Sequence, residues 1–304
     1  MTAARELKTS PAKCVAPMSA ILGEGPVWDP RDKRLYWLDI KGEMLFRFNP
    51  QTKQCEKFPV EGMVSALGLA RSGGFVCATR DGFAQLHFEG RAPVIRKTAN
   101  PEADMPGNRF NDGKVDPAGG FWAGTMDDNE AIISGSWWRL CPDGDVVRID
   151  GDYKVTNGPA FDPERNRVYL TDSAAQCVYV AQSGGATFNG RQVFLQFGKS
   201  EGYPDGMEVD REGFLWIAFW DAGVIRRFSP GGDKVMEISI PALRPTSLAI
   251  VEDRIFVTSA SIGLNEDALR KYPDSGGLFE IVASAPLGRQ ETRYFNGSQS
   301  GALR

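Results

Sequence analysis

Short apolar segments and polar turns alternate along the chain, and one arrangement of them recurs. Each copy has an apolar segment that ends near an Asp, then a turn, then a segment rich in aromatic residues. Clear copies occupy residues 25–40, 113–126, 158–173 and 206–220, and weaker copies occupy residues 67–80 and 247–260. A regular repeat of this kind indicates a fold built from similar units.

The spacing of the copies identifies the unit. They align on one position, which is occupied in turn by Asp29, Arg71, Asp116, Asp162, Asp210 and Val251. The steps of about 41 to 48 residues are typical of a four-stranded propeller blade. The turns contain Asp-Pro or Gly, and no long segment has the apolar period of a helix. The sequence therefore predicts an all-β fold, a six-bladed β-propeller with four-stranded blades around a central channel.

No linker, low-complexity tract or change of composition divides the chain. We therefore predict that residues 1–304 form one propeller domain, with about 15–20 N-terminal residues peripheral to it. The net charge of −4, without any basic block, argues against a nucleic-acid partner. Apolar stretches are too short to span a membrane, and the N-terminus lacks the apolar core of a secretion signal. We expect a cytoplasmic protein with neither a nucleic-acid nor a membrane partner.

Polar residues share one register of the repeat. The positions five residues before the aligned ones are occupied by Glu24, Ala66, Asn111, Asn157, Asp205 and Thr246. Each immediately precedes the predicted innermost strand of its blade, so these side chains should surround one mouth of the channel. Asp and Asn also occur in turns, where they bond to the backbone. Four carboxylates and carboxamides in one register, each beside Gly or Asp-Gly, favour a binding site instead.

Two carboxylates in this register need a counter-charge. A carboxylate in a narrow channel has a high desolvation cost unless it is paired or bound to a cation, and Glu24 and Asp205 would also repel each other. Carboxylate and amide oxygens suit hard divalent cations, and carboxylates also accept Zn²⁺. We expect one divalent cation, Ca²⁺ in the first place, with Zn²⁺, Mg²⁺, Mn²⁺ and Fe²⁺ as alternatives.

Five motifs carry a resemblance to a known family. They are LGEGPVWD (residues 22–29), RFNDGKVDPAGGFWAGTM (109–126), TNGPAFDP (156–163), YPDGMEVDREGFLWIA (203–218) and SGGLFEI (275–281). They follow one another over almost the whole chain, and the second and fourth are long and specific. In these motifs the chain resembles the senescence marker protein/gluconolactonase/regucalcin-like family of sugar lactonases.

The resemblance implies a six-bladed propeller that binds one divalent cation and hydrolyses sugar lactones to aldonic acids. The implied cation ligands are Glu24, Asn157 and Asp205. Arg109 would contact the oxygens of the substrate, and Asn111 would help to hold the substrate or a water. We take Asp205 as the candidate general base, because the resemblance points to it and a carboxylate at the cation lies within reach of the attacking water.

The chain departs from the family after Gly-Thr-Met. Some relatives carry paired glutamates there, one of which contacts the sugar, whereas residues 127–130 read Asp-Asp-Asn-Glu. Asn129 stands where the contacting glutamate would fall. We therefore predict that Asn129 contacts the substrate and that this substrate differs from that of the relatives.

Two alternative functions stay open. One is a non-catalytic, calcium-binding regulatory propeller, since a fold does not determine a function. The other is a metal-dependent esterase or organophosphatase on the same scaffold. Arg109 and Asn111 beside a cation favour a small polyol substrate over both alternatives. A serine or cysteine triad would have to use His87, the only histidine, and no GxSxG motif is present.

Overall fold

Six antiparallel sheets surround a central channel. The computed structural model describes residues 7–183, 188–290 and 292–295. Within these ranges lie 24 strands in six four-stranded sheets, and the innermost strands of neighbouring sheets contact one another in a closed ring. The predicted six-bladed β-propeller is therefore confirmed. No helix in the described ranges is both long and apolar enough to cross a membrane.

Each of the first five blades uses four consecutive strands, in order from the channel outwards. The chain begins with β1 (Lys13–Ala16), and blade 1 follows with β2 (Gly23–Asp29), β3 (Arg34–Asp39), β4 (Met44–Phe48) and β5 (Cys55–Pro59). Blade 2 has β6 (Ala66–Leu69), β7 (Phe75–Thr79), β8 (Gly82–Glu89) and β9 (Ala92–Ala99). Blade 3 has β10 (Asn108–Val115), β11 (Phe121–Asp127), β12 (Gly135–Leu140) and β13 (Val146–Tyr153).

The second half of the chain continues this order. Blade 4 has β14 (Thr156–Asp162), β15 (Arg167–Asp172), β16 (Cys177–Ser183) and β17 (Phe188–Gln196). A 3-10 turn (Lys199–Glu201) leads to blade 5, which has β18 (Tyr203–Val209), β19 (Leu215–Trp220), β20 (Val224–Phe228) and β21 (Lys234–Ser239). Blade 6 has β22 (Pro245–Val251), β23 (Arg254–Ser259) and β24 (Leu278–Val282), with the short helix α1 (Glu266–Lys271) between the last two.

The N-terminal strand closes the ring. β1 pairs antiparallel with β24 and is the outermost strand of blade 6. The N-terminal segment, which we expected to be peripheral, is therefore part of a blade from Lys13 onwards, while residues 1–6 lie outside the described ranges. The four residues of β1 carry no repeat signature, so the sequence could not reveal this pairing.

Large side chains fill the space between adjacent blades. Trp37, Trp122 and Trp216 are fully buried on the second strands of blades 1, 3 and 5. Each packs against apolar residues of a neighbouring blade, as Trp37 does in one cluster with Phe256 of blade 6. Buried aromatic rings of this size contribute strongly to core stability. These tryptophans are therefore core residues, as their strand positions predict.

The aspartates on which the repeats align stabilise single blades. Asp116 is fully buried, and its Oδ2 accepts hydrogen bonds from Trp122 Nε1 at 2.9 Å and Arg139 Nε at 2.6 Å. Asp210 accepts equivalent bonds from a tryptophan and an arginine in blade 5. A buried carboxylate is tolerated only with such partners. The repeated Asp is thus structural, and the polar register near the start of the inner strands is a separate feature.

The segment after β24 crosses the opposite end of the channel. Arg289 Nε donates to the Asp210 carbonyl of blade 5 at 2.6 Å, and Tyr294 N donates to the Leu69 carbonyl of blade 2 at 2.7 Å. Arg289 also lines the narrow space of about 120 Å³ that remains at this end. The segment carries no repeat pattern, and the sequence did not predict its course. The wider opening lies at the polar register.

The buried pair of Asp116 and Arg139 supplies a test of the fold. We expect Asp116→Ala to lower the free energy of unfolding by about 3–5 kcal/mol, because it leaves the buried guanidinium of Arg139 without a counter-charge. Chemical denaturation followed by fluorescence measures this. The control, Asp81→Ala, breaks an exposed ion pair with Lys97 and should cost about 1 kcal/mol or less. Equal losses in the two variants would contradict this role.

Candidate active site

The polar register lies inside the innermost strands, not before them as predicted. Glu24 and Asn157 are the second residues of β2 and β14, and Asp205 is the third residue of β18. In five of the six blades, the pairing of the first two strands shifts at this register. Blade 2, which has Ala66 here, pairs regularly. The irregularity interrupts the pleat, which is how strands redirect side chains beside functional sites.

Two glycines of the register are required by the backbone. Gly25 and Gly158 have φ angles of 54° and 90°, in the left-handed region. Residues with a side chain adopt this region at a cost, whereas glycine does so freely. The Glu24-Gly25 and Asn157-Gly158 pairs of the sequence are therefore explained by the local backbone geometry.

The register opens into one cavity of about 670 Å³ at the mouth of the channel. Glu24, Asn111, Asn157 and Asp205 all line it and are all buried, and Arg109 lies beside them. The four side chains come from blades 1, 3, 4 and 5, so the structure brings together what the alignment placed at equivalent offsets. A cavity of this volume suits a small-molecule ligand.

A chain of hydrogen bonds fixes the amides. Arg109 Nη1 donates to Asn111 Oδ1 at 2.7 Å, and Asn111 Nδ2 donates to Asn157 Oδ1 at 2.9 Å. Asn157 Nδ2 then donates to Ser173 Oγ at 2.8 Å. Asn111 Nδ2 also donates to the Thr156 carbonyl at 2.8 Å, so both of its N–H groups are used within the protein. Asn111 therefore orients Asn157 and Arg109 and can offer a ligand only its oxygen.

The two carboxylates are poorly satisfied by the protein. Asp205 Oδ1 is buried and has no hydrogen-bond partner in the part of the chain that the structure describes. Glu24 Oε2 accepts one bond, from Gly25 N at 3.1 Å. Burial and then the charge of Asp205 raise the pKa of Glu24 well above its usual value, and burial and then the charge of Asp112 raise the pKa of Asp205. Two uncompensated buried carboxylates are costly.

A divalent cation would relieve this cost. Glu24, Asp205 and the carboxamide oxygen of Asn157 form an oxygen donor set of the kind that hard cations prefer. Within the described ranges, no three His, Cys, Asp or Glu side chains are grouped as a metal site. A cation site here therefore depends on the amide as its third protein donor. The unpartnered oxygen of Asp205 shows that the residues present fit such an ion.

Asp128 gathers three basic side chains at the cavity wall. Its carboxylate accepts hydrogen bonds from Lys41 Nζ at 2.7 Å, Arg80 Nη1 at 2.9 Å and Arg109 Nε at 2.7 Å, which come from blades 1, 2 and 3. Burial alone would raise the pKa of Asp128, but these bonds outweigh it and hold the pKa well below its usual value. Asp128 thus positions the buried Arg109. The sequence reasoning missed it, although the Asp-Asp after Gly-Thr-Met was a visible signal.

The structure does not place Asn129 on the cavity wall. Its side chain is exposed, whereas the neighbouring Asp128 and Glu130 both line the cavity. A tight turn, in which Glu130 N donates to the Asp127 carbonyl at 2.9 Å and Glu130 has a φ of 54°, separates adjacent side chains. The contact between Asn129 and the substrate, which was taken from the resemblance, stays a prediction. Glu130 offers the carboxylate that Asn129 was expected to replace.

Further residues of the wall were not predicted as ligand contacts. Trp220 lines the cavity beside Tyr203. The guanidinium of Arg244 lies 4.7 Å from the centre of the Trp220 ring, and its Nε donates to Asp221 Oδ1 at 2.6 Å. An aromatic side chain with one polar edge offers a flat wall for a sugar ring.

Fold and cavity together define a propeller with a carboxylate-lined polar site at one mouth of its channel. Residues 22–261 match the SMP-30/Gluconolactonase/LRE-like region. The match covers most of the chain, so the chain belongs to this family, as its motifs indicate.

Individual relatives agree with this assignment. The chain is similar to regucalcin of Xenopus laevis, at 32% identity over 295 residues that cover 93% of this chain and 97% of the relative. It is similar to the putative sugar lactone lactonase YvrE of Bacillus subtilis (strain 168), at 34% identity over 268 residues, covering 86% and 90%. Among solved structures, the calcium-binding protein regucalcin of Agrobacterium tumefaciens str. C58 has a TM-score of 0.86 and 27% identity, covering 92% and 96%. These relatives support a lactonase at the level of the family.

The Asp128 cluster generates a prediction about stability and pH. The pKa of Asp128 is lowered in the folded state. The contribution of this carboxylate to the free energy of unfolding is therefore complete above its unfolded pKa of about 3.9, and it is lost as the pH falls from there through the folded pKa. We therefore expect the wild type to be more stable than Asp128→Asn at pH 7, and the difference to shrink at pH 3. Urea unfolding at both pH values measures this. Asp104→Asn, at an exposed carboxylate, is the control and should show little difference at either pH.

Proposed function

We propose that this protein is a divalent-cation-dependent lactonase that hydrolyses sugar lactones to aldonic acids. The observation that carries the proposal is the buried Oδ1 of Asp205, which has no hydrogen-bond partner among the described residues, in a cavity that Glu24, Asn157 and Arg109 also line. A buried acceptor aimed at no protein donor is available to an ion or a reacting water. The sugar lactonase relatives support the same reaction class.

In this proposal Glu24, Asn157 and Asp205 hold the cation. Their hard oxygen donors favour Ca²⁺, with Zn²⁺, Mg²⁺, Mn²⁺ and Fe²⁺ as alternatives. A cation bound there would polarise the lactone carbonyl and stabilise the negative charge that develops on its oxygen. The similar regucalcin of Agrobacterium tumefaciens str. C58, a calcium-binding protein, supports the choice of Ca²⁺.

The protein's own groups orient the substrate. Arg109 is buried, and its guanidinium is held by Asp128, Asn111 and the Phe110 carbonyl. A guanidinium fixed in this way loses little freedom when it binds the oxygens of a sugar. Asn111 holds Arg109 and Asn157 in place through its hydrogen bonds and offers its remaining lone pair to a substrate hydroxyl.

Asp205 is the proposed general base. Water attacks the lactone carbonyl carbon, and Asp205 accepts the proton that the water loses. When the bond between this carbon and the ring oxygen breaks, the proton passes from Asp205 to the ring oxygen. The product is the open-chain aldonic acid, and Asp205 returns to its starting state. The unpartnered oxygen of Asp205 is what makes it available for this exchange.

The wall of the cavity disfavours the alternative functions. Eight Asp, Glu, Lys and Arg side chains line it, which suits a hydroxyl-rich ligand better than an aromatic ester or an organophosphate. A protein that only binds calcium would have no use for the fixed array of Arg109 and Asn111 beside the cation ligands. A lactone substrate explains both features.

Replacement of the general base tests the reaction. We expect Asp205→Asn to lower kcat/KM for aldonolactones by about 10²–10⁴-fold, because the amide cannot accept the proton. Acid release from a panel of lactones, measured with each divalent cation in turn, provides the value. Asp81→Asn, the same change at an exposed carboxylate, should keep wild-type activity. Activity of Asp205→Asn near that of the wild type would contradict the mechanism.

Cation binding has a readout that needs no turnover. In protein stripped of metal, we expect Ca²⁺ to raise the midpoint of thermal unfolding, since a ligand at 100 times its Kd adds about 2.7 kcal/mol of stability. Asp205→Asn should lose most of this shift. Glu130→Gln, which changes a carboxylate on the same wall outside the ligand set, should retain it. An equal shift in both variants would place the cation elsewhere.

A further inference from the structure

The charges on the cavity wall do not balance once the proposed cation is counted. The lining contains four basic and four acidic side chains, namely Lys41, Arg109, Lys154 and Arg244, and Glu24, Asp128, Glu130 and Asp205. A divalent cation would compensate Glu24 and Asp205, and Arg244 is already paired with Asp221. Among the remaining lining side chains, three are basic and two are acidic.

The surplus is concentrated around Asp128. This single carboxylate accepts bonds from three basic groups, and the third of these, Arg80, reaches it from outside the cavity lining. Three cations that share one carboxylate repel one another, and among the described lining residues Glu130 is the only other acid of the remaining wall. A further anion in the cavity would lower this repulsion.

Lys154 is the basic group of the wall without a counter-charge. It lies between β13 and β14, and its backbone N is fixed by Asp172 Oδ2 at 2.9 Å. The side chain is half-buried and lines the cavity, and its ammonium has no hydrogen-bond or ion-pair partner within the described ranges. A lysine on an open surface needs no such partner, but this one faces the space that a ligand would fill.

We propose that the lactone hydrolysed here carries a negative charge of its own, a carboxylate or a phosphate at the end of the sugar remote from the lactone carbonyl. This inference rests on the proposed lactonase function and names its substrate class. Lys154 lies in the bend between β13 and β14, and it lines the same cavity as Asn157 and Asp205. In this proposal a sugar with its carbonyl at Asn157 and Asp205 places its charged end at the Lys154 ammonium, which selects the charged form.

A matched pair of substrates tests the selection. Glucono-1,4-lactone and glucaro-1,4-lactone differ only in the oxidation of one terminal carbon, and 6-phosphogluconolactone supplies the phosphate form. We expect kcat/KM to be at least about tenfold higher for one of the charged lactones than for the neutral one at low salt, with the preference shrinking as ionic strength rises. Whichever charged lactone is preferred identifies the anionic group.

The Lys154 ammonium is tested by Lys154→Met, which keeps the length of the side chain. We expect this change to reduce the ratio of kcat/KM for charged over neutral lactone about tenfold. Lys57→Met removes the same charge from an exposed position on β5 and should leave the ratio and the basal activity unchanged. A wild type without preference, or a preference that survives Lys154→Met, would overturn the inference and leave the lactonase function standing.

Equilibrium binding separates the inference from the proposed function. Calorimetry with the open-chain acids, glucarate against gluconate, requires no turnover and is done with wild type and Lys154→Met. Tighter binding of glucarate that Lys154→Met abolishes would support the anion site, and equal binding of both acids would overturn it. If no lactone is hydrolysed with any cation, the proposed function fails, and this binding result still decides whether Lys154 selects an anion.

Discussion

Two carboxylates buried together at the mouth of the channel are the constraint on which the site depends. Burial and then the neighbouring negative charges raise the pKa values of Glu24 and Asp205, and Asp205 Oδ1 has no hydrogen-bond donor among the residues that the structure describes. A structure tolerates this only where something else supplies the compensation. The proposed cation and the proposed role of Asp205 as general base both follow from that uncompensated charge.

The scaffold keeps this arrangement stable by separating two kinds of aspartate. At the start of the inner strands, irregular pairing and left-handed glycines turn polar side chains into the cavity. At the ends of the same strands, Asp116 and Asp210 are fully buried but fully paired with tryptophan and arginine. The paired acids stabilise the blades, and the poorly satisfied acids are the proposed ligands of the cation. The irregular starts of the inner strands are compatible with a stable fold because the remaining contacts of the blades are well satisfied.

The rest of the cavity is organised by charge. Asp128 links three blades through Lys41, Arg80 and Arg109. The position of the buried Arg109 guanidinium therefore depends on how blades 1, 2 and 3 are arranged. Asn111 accepts a hydrogen bond from Arg109 and donates one to Asn157, so the positions of these two side chains are linked. The proposed cation ligands and the proposed substrate contacts are therefore parts of one hydrogen-bond network. The positive surplus of that network, with Lys154 at its edge, is what points to an anionic lactone.

The sequence by itself determined the blades and the polar register, because a propeller repeats one local pattern and equivalent offsets converge on one axis. Glu24, Asn111, Asn157 and Asp205 could be selected together for that reason. Only the tertiary structure decided the contacts made without a repeat: β1 on blade 6, the C-terminal segment across the channel, and Asp128 beneath Arg109. It also decided that Glu130, not Asn129, lines the cavity, since one left-handed residue in a tight turn changes which side chain points inward. Contacts that repeat from blade to blade can be predicted from the spacing of residues in the sequence. The contacts made without a repeat depend instead on where segments distant in the sequence meet.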